Sequence, residues 1–269
     1  MRSITSQQQL QEMKTELILD LEMNQYRKLD GLSKHQLDAF SVCPSYYKWR
    51  GTQDFKPTRE MELGTCIHSL ALEGRVDYVQ APEINRRTNA GKAEWEAFCY
   101  DNQGKIVVNA EEAARIEGAV KACEPLLNMI SAKKIIEGSM FWERGGMQCK
   151  GRPDVITEIK GKPAIVDLKT TSDIMRFDSK FFSLKYDRQA AWYAYGLKQI
   201  HDLDEVDFYF LVVDTEEPFL AQWVKPDEEV LDSANVKLDL AVAGLKHCIE
   251  QDVWPGLPTI RTISKRPWD

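Results

Sequence analysis

Cys149-Lys150-Gly151-Arg152-Pro153-Asp154-Val155-Ile156 and, past a short turn, Ile165-Val166-Asp167-Leu168-Lys169-Thr170-Thr171 are the most informative residues of this chain. Their β-branched runs predict strands, and Lys160-Gly161-Lys162-Pro163 supplies the turn between them. In such a hairpin Asp154 and Asp167 sit on neighbouring strands with both carboxylates on one face. Lys169, two residues beyond Asp167, shares that face because side chains alternate along a strand. Two convergent carboxylates beside an ammonium make a site for a hard cation, and Mg²⁺ prefers such oxygen ligands. An exposed strand with a weak surface ion pair would show the same residues. The flanking Val155, Ile156, Ile165, Val166 and Leu168 speak for a buried hairpin, where three ionisable groups are costly unless paired or metal-bound.

Outward from this stretch, Ile135–Glu143, Met147–Ile159 and Ala164–Thr170 read as three strands of an antiparallel meander, the first turn being Arg144-Gly145-Gly146. Downstream, residues 181–200 read as a helix, Val206–Val213 as a strand buried on both faces, residues 219–224 as a further strand and residues 226–250 as a last helix. A basic tail with Arg261, Lys265 and Arg266 follows. Upstream the patterns are helical. Leu10, Met13, Leu17 and Leu21 suggest a peripheral helix, and Ser33 caps a second helix that Pro44 ends or kinks. A third helix over residues 60–72 carries Gly64-Thr65-Cys66-Ile67-His68. The polar segment from Ile84 to Trp95 reads as a loop, with helices after it around residues 95–100 and 111–129. The expected architecture is α/β: a central mixed sheet flanked by helices, an N-terminal helical arm at residues 1–30 and one domain at 31–269, its catalytic core at about 60–225.

The 269 residues carry 35 Lys+Arg against 42 Asp+Glu, a formal net charge of -7. That balance argues against nonspecific coating of nucleic acid but permits a local basic channel. Residues 144–188 hold ten Lys+Arg against six Asp+Glu, so the acidity belongs to the flanks. Six scattered cysteines form no CxxC pair and no zinc-binding spacing. No apolar run is long enough for a membrane helix, and the N-terminus lacks the apolar segment of a signal peptide. A soluble cytoplasmic protein with no membrane partner is expected.

The ordered set Gly151-Arg152-Pro153-Asp154, Asp167-Leu168-Lys169, His68 upstream and Gln189 with Tyr193 downstream resembles the PD-(D/E)xK nuclease superfamily. Within it the chain is similar to the exonuclease VIII type, related to RecB-like nuclease domains. The likeness runs over roughly residues 33–225, including the helices around Leu37 and His68, the Asn85–Trp95 segment and the Gln189 helix. It implies that His68, Asp154, Asp167 and the backbone carbonyl of Leu168 hold Mg²⁺, with Mn²⁺ as substitute, and that Lys169 is the catalytic lysine. Taken alone, His68 would read as a satisfied, partly buried residue. The resemblance also implies that Gln189 and Tyr193, four apart on one helix face, steady Lys169 or a substrate phosphate. RecB-like relatives with an iron-sulfur cluster use one cysteine before the core and three after it. Here only Cys248 follows Cys149, so no iron-sulfur cluster is expected.

The implied activity is metal-dependent 5′→3′ exonuclease action on double-stranded DNA ends, releasing 5′-mononucleotides in recombination of the phage type. A trimeric or tetrameric homo-oligomeric ring and a single-strand annealing partner follow from the resemblance alone. An endonuclease on the same core and a catalytically silent DNA-binding scaffold stand as alternatives. For DNA contact the candidates are Arg86, Arg87 and Lys92 in the polar segment, Arg152 beside the metal site, and Lys180, Lys185 and Arg188 ahead of Gln189. Glu143, at a strand end, is a candidate for a second metal through water. Tyr47, Trp49 and Trp95 are candidate wedges, although for any one of them taken singly buried aromatic core is the expected role.

Overall fold

The computed structural model describes residues 14–263, so Leu10, Met13, Lys265 and Arg266 lie outside the described residues. The chain enters through strand β1 (Glu16–Ile18) and helix α1 (Met23–Lys28), not through one continuous helix. Leu17 of β1 lies opposite Met140 of strand β5 (Ser139–Arg144), in an antiparallel pair. The helical spacing there is weak. An extended chain both satisfies the open edge of β5 and lets Leu17 pack on the core, and tertiary pairing overrides such local preference.

Helix α2 (Lys34–Phe40) begins with a reciprocal cap between Ser33 and Gln36, and α3 (Pro44–Arg50) begins at Pro44, where a missing N–H costs nothing. Helix α4 (Arg59–His68) runs on as a π-helical turn, Ser69–Glu73, and stops at Gly74 with φ 67°. Two short parallel strands, β2 (Tyr78–Gln80) and β3 (Ile106–Val108), flank helix α5 (Asn89–Asp101). The expected loop is therefore half helix, and Lys92 and Trp95 stand on α5. Thr88 caps it by accepting from the Gly91 N–H, where a Cβ would come within 2.1 Å of the Asn85 carbonyl oxygen. Helix α6 (Ala110–Leu127) follows.

The expected three-strand meander is broken twice. Strand β4 (Ile135–Ile136) separates from β5 at Glu137, whose φ is 55°, and β6 (Met147–Gly151) separates from β7 (Val155–Ile159) at Arg152-Pro153-Asp154. Pro153 offers no N–H to a ladder, which favours the interruption. As a result β1, β5 and β6 form a sheet of their own. The main sheet takes the order β10 (Ala221–Val224), β9 (Asp207–Asp214), β8 (Lys162–Thr171), β7, β4. Its β8–β9 pair is parallel and the others antiparallel, so the sheet is mixed as expected. The β8-to-β9 crossover holds helices α7 (Phe177–Ser183) and α8 (Tyr186–His201), which Lys185, at φ 58°, separates where one continuous helix was expected. Helix α9 (Glu228–Gln251) completes the chain.

Alternation along β8 and β9 builds two apolar layers. Ile165, Phe208, Phe210 and Val212 pack with α8 and α9, whereas Val166, Leu168, Leu211 and Val213 pack with α4 and α6. In the first layer Trp142 and Trp192 meet edge to face at 5.1 Å, and Gly196 provides the room, since a Cβ there would lie 2.7 Å from the Trp142 ring. Parity then places Asp167 and Lys169 on the α8 side. The sheet presents its charged residues between two helical layers.

Candidate active site

Val155 pairs with Val166 at the end of the β7–β8 ladder, and Asp154, the residue before β7, reaches the β8 backbone at Leu168, next to Asp167. Asp154 lies just past the ladder, its peptide tied by the Glu137 N–H donating to the Asp154 carbonyl at 2.9 Å. Its Oδ2 accepts from the Leu168 N–H at 2.7 Å and lies 2.5 Å from His68 Nε2. His68 comes from the opposite layer. Helix α4 approaches β8 closely at Gly64, where a Cβ would sit 3.2 Å from Thr170 Oγ1, and the last residue of α4 thereby reaches the carboxylate.

Asp167 is 1% exposed. Gln189 Nε2, from α8, donates to Oδ1 at 2.7 Å. Lys169 Nζ lies 2.5 Å from Oδ2 and forms an ion pair with that buried oxygen. Burial, and next the neighbouring Asp154, push the Asp167 carboxyl up to about 6 against the pull of Lys169. Burial alone would lower Lys169, yet Asp167 and Asp154 outweigh it and hold the ammonium above its usual range. His68 behaves alike: burial works against the imidazolium, while Asp154, Asp167 and Glu137 together raise it. The Lys169 ammonium also lies 4.9 Å from the Tyr186 ring centroid.

These donors suit a divalent cation: the buried Asp167 carboxylate, whose Oδ2 is met by the Lys169 ammonium, stands beside an imidazole and a second carboxylate. They are not already spread as a cage. His68 touches Asp154, and among the described residues no three His, Cys, Asp or Glu side chains form a preassembled metal cluster. A cation here would replace the contacts that the imidazole and the ammonium now make.

Of the sequence candidates, the structure brings His68, Asp154, Asp167, Leu168, Lys169 and Gln189 together. Gln189 reaches Asp167 rather than Lys169. Tyr193 lies nearby and is buried against Gly151, and burial first, then Asp167, raises its hydroxyl far above the usual range. Glu143 is not at the site: it is exposed on β5, opposite Gln148, in the other sheet. Arg144 does not pair with it either, but is buried and reaches Asp239 of α9 at 2.8 Å.

The basic candidates separate into two sets. Arg86, Arg87 and Lys92 are exposed, with Arg86 stacked 4.3 Å from the Trp95 centroid. Arg152 points inward, donating to Glu137 at 2.8 Å and to the Leu21 carbonyl at 2.6 Å, so it is no free DNA contact. Lys180 donates to Thr171 Oγ1, Lys185 to the Asp38 carbonyl, and Arg188 to Ser41 Oγ. The local excess of cations read from residues 144–188 is thus partly spent on internal pairs.

Two residues at the site escaped the sequence reading. Glu137, concealed in what reads as unbroken strand, is the acidic neighbour that Glu143 was expected to be. Lys34, 5% exposed, pairs with Asp38 at 2.8 Å and reads in the sequence as ordinary helix surface.

A family model described as a PDDEXK-like domain of unknown function (DUF3799) matches residues 33–259. A crystal structure of a presumed exonuclease from Eubacterium rectale superposes with a TM-score of 0.64 at 16% identity, covering 93% of this chain and 96% of its own, which establishes a shared fold. An alkaline exonuclease from Laribacter hongkongensis, at 14% identity over 67% of this chain and 93% of its own, superposes with a TM-score of only 0.31. No curated protein matches the chain. With its matched span covering most of its length and its mixed sheet carrying Asp167 and Lys169 beside Asp154, this chain belongs to the PDDEXK-like domain family (DUF3799), and so to the PD-(D/E)xK superfamily.

Proposed function

We propose that the protein is a metal-dependent exodeoxyribonuclease that degrades one strand of duplex DNA from an end, in the 5′→3′ direction, releasing 5′-mononucleotides. The observation that carries this reading is Asp154, bonded to the Leu168 N–H next to Asp167, with Lys169 closing on Asp167 and His68 on Asp154. Fold similarity to the Eubacterium rectale protein, a presumed exonuclease, supports it.

His68, Asp154, Asp167 and the Leu168 carbonyl would hold Mg²⁺ or Mn²⁺. The bound ion would lower the pKa of an attacking water and offset charge on the phosphate. Lys169, on the face of Asp167, orients that water and stabilises charge as the phosphodiester breaks. Gln189 fixes the Asp167 carboxylate so that its orientation survives the approach of the DNA phosphate. The P–O bond to the 3′ oxygen of the terminal nucleotide breaks, and that oxygen departs as an oxyanion and takes up a proton. The attacked phosphate remains as the new 5′-phosphate of the shortened strand, while the released nucleotide keeps the 5′-phosphate it already carried. Exposed Arg86, Arg87 and Lys92 would meet the DNA backbone through their charge.

The acting form in this reading is a trimeric or tetrameric ring working beside a single-strand annealing protein. The exposed Val236 and Leu240 on α9 are compatible with contact between copies. None of the helices among the described residues is long and apolar enough to cross a membrane. The test incubates linear, nicked-circular and closed-circular duplex with Mg²⁺. Mononucleotides from linear DNA alone support the reading; cutting of closed circles would replace it with an endonuclease, and DNA retained uncut with a scaffold. End-labelled substrates give the direction, and light scattering gives the copy number.

A further inference from the structure

Helices α2 and α3 lean on the C-terminal segment through Tyr47, which stacks on Trp254 at 5.8 Å and 7°. Between this hairpin and Lys185 runs an open groove of about 910 Å³. Two aromatic rings line it with substantial exposure, Tyr46 and Phe55, the latter 60% exposed, and Trp49 stands beside Tyr46 with its centroid at 5.3 Å. Lys48, Arg50, His35 and Lys185 line it too, while Asp38 is the one carboxylate of the lining. That carboxylate already faces Lys34, Lys185 and Arg188, Lys48 faces Asp252 outside the lining, and burial first, then Lys34, holds the His35 imidazole below its usual range, so among the described residues Arg50 is the lining cation with no carboxylate partner.

The groove joins the catalytic side of the fold. Lys185 donates to the Asp38 carbonyl at 2.9 Å and is followed at once by Tyr186, whose ring lies under the Lys169 ammonium, and then by Gln189, bonded to Asp167. Exposed aromatic rims have nothing to stack on in a duplex, whose base faces are covered. Unpaired bases offer those faces, and a charged groove with aromatic platforms is how single strands are held without sequence preference.

We propose that this groove binds a single-stranded DNA segment continuous with the strand being cut, its bases stacked on Tyr46 and Phe55 and its phosphates against Arg50, Lys48 and Lys185. The proposal rests on the nuclease reading for its direction toward Lys169, and its test separates the two. Fluorescence anisotropy of a labelled oligothymidine of about 12 nucleotides is measured in EDTA with the full chain and with a Tyr46→Ala/Phe55→Ala variant. Hydrolysis of bis(4-nitrophenyl) phosphate with Mn²⁺ is followed in parallel, since so small a diester has no need of the groove.

The expected result is at least about tenfold weaker oligothymidine binding by the variant, from the loss of base stacking, with diester hydrolysis and thermal midpoint unchanged. Arg50→Glu, which leaves the rings in place, should weaken binding as well and flatten its salt dependence. A wild-type chain that does not bind oligothymidine, a double variant that binds as tightly as wild type, or tighter binding of oligouridine would each overturn the proposal. Loss of binding in the variants with no diester hydrolysis even by the wild type would sustain the groove and overturn the catalytic reading instead.

Discussion

Gln189 Nε2 donates to Asp167 Oδ1 at 2.7 Å, so a buried carboxylate on the central strand is held from a helix 22 residues downstream. Removing the amide leaves a buried acceptor unpaired. Gln189→Ala should lower stability by about 1–3 kcal/mol in chemical denaturation. It should also weaken Mn²⁺ binding by about 10–100-fold, because the carboxylate loses its orienting partner. Calorimetric titration with Mn²⁺ checks the second effect, and an unchanged affinity would separate Gln189 from the site.

Lys169 is the ammonium nearest Asp167, and it is four-fifths buried. Lys169→Ala should reduce release of acid-soluble nucleotide at least about 100-fold while Mn²⁺ and DNA binding persist. A variant that retains wild-type turnover would falsify the role given to this lysine.

Burial, and next Asp154, raise Asp167 from 3.8 to about 6. Between those values the folded metal-free chain keeps a proton that the unfolded chain has released. Its stability therefore falls as pH rises from about 4 to about 6, by on the order of 3 kcal/mol from this group. Thermal midpoints of the metal-free protein should drop over that window, and Asp167→Asn should remove this part of the drop. Saturating Mn²⁺ at neutral pH should raise the midpoint, by the equivalent of about 2.7 kcal/mol at a hundredfold excess over Kd. An Asn variant that follows the wild-type pH profile throughout would show that Asp167 is not the group responsible.

Gly151 ends β6 against Tyr193, and a Cβ there would sit 2.8 Å from the tyrosine ring. Because the ring is buried, Gly151→Ala should cost about 1–3 kcal/mol of stability. The companion Gly151→Ala/Tyr193→Phe variant keeps the ring and should not recover it, whereas Gly151→Ala/Tyr193→Leu, which removes the ring, should recover part. Equal losses in both double variants would place the strain elsewhere.

The residues around Asp154 and Asp167 could be read directly because strand alternation and hairpin register are local: a period of two and a short turn put both carboxylates and Lys169 on one face before any packing is known. The same locality makes the Ser33 cap legible, since it depends on a backbone group three residues away, whereas Pro44, read as ending or kinking that helix, instead starts α3 after α2 has already ended at Phe40. Glu137 and Glu143 mark where this stops. Both lie in one apparent strand, and only the backbone reversal at Glu137, forced by packing β4 and β5 into different sheets, sends one acid toward His68 and the other into solvent. Arg152 likewise looks like a DNA contact in the chain, yet Glu137 and the Leu21 carbonyl claim it once β1 folds onto β5. Sequence alone determined which charged residues gather at the candidate site; the tertiary structure decided which charges are free, because a cation's partner is set by segments far away in the chain that only folding brings within hydrogen-bond reach.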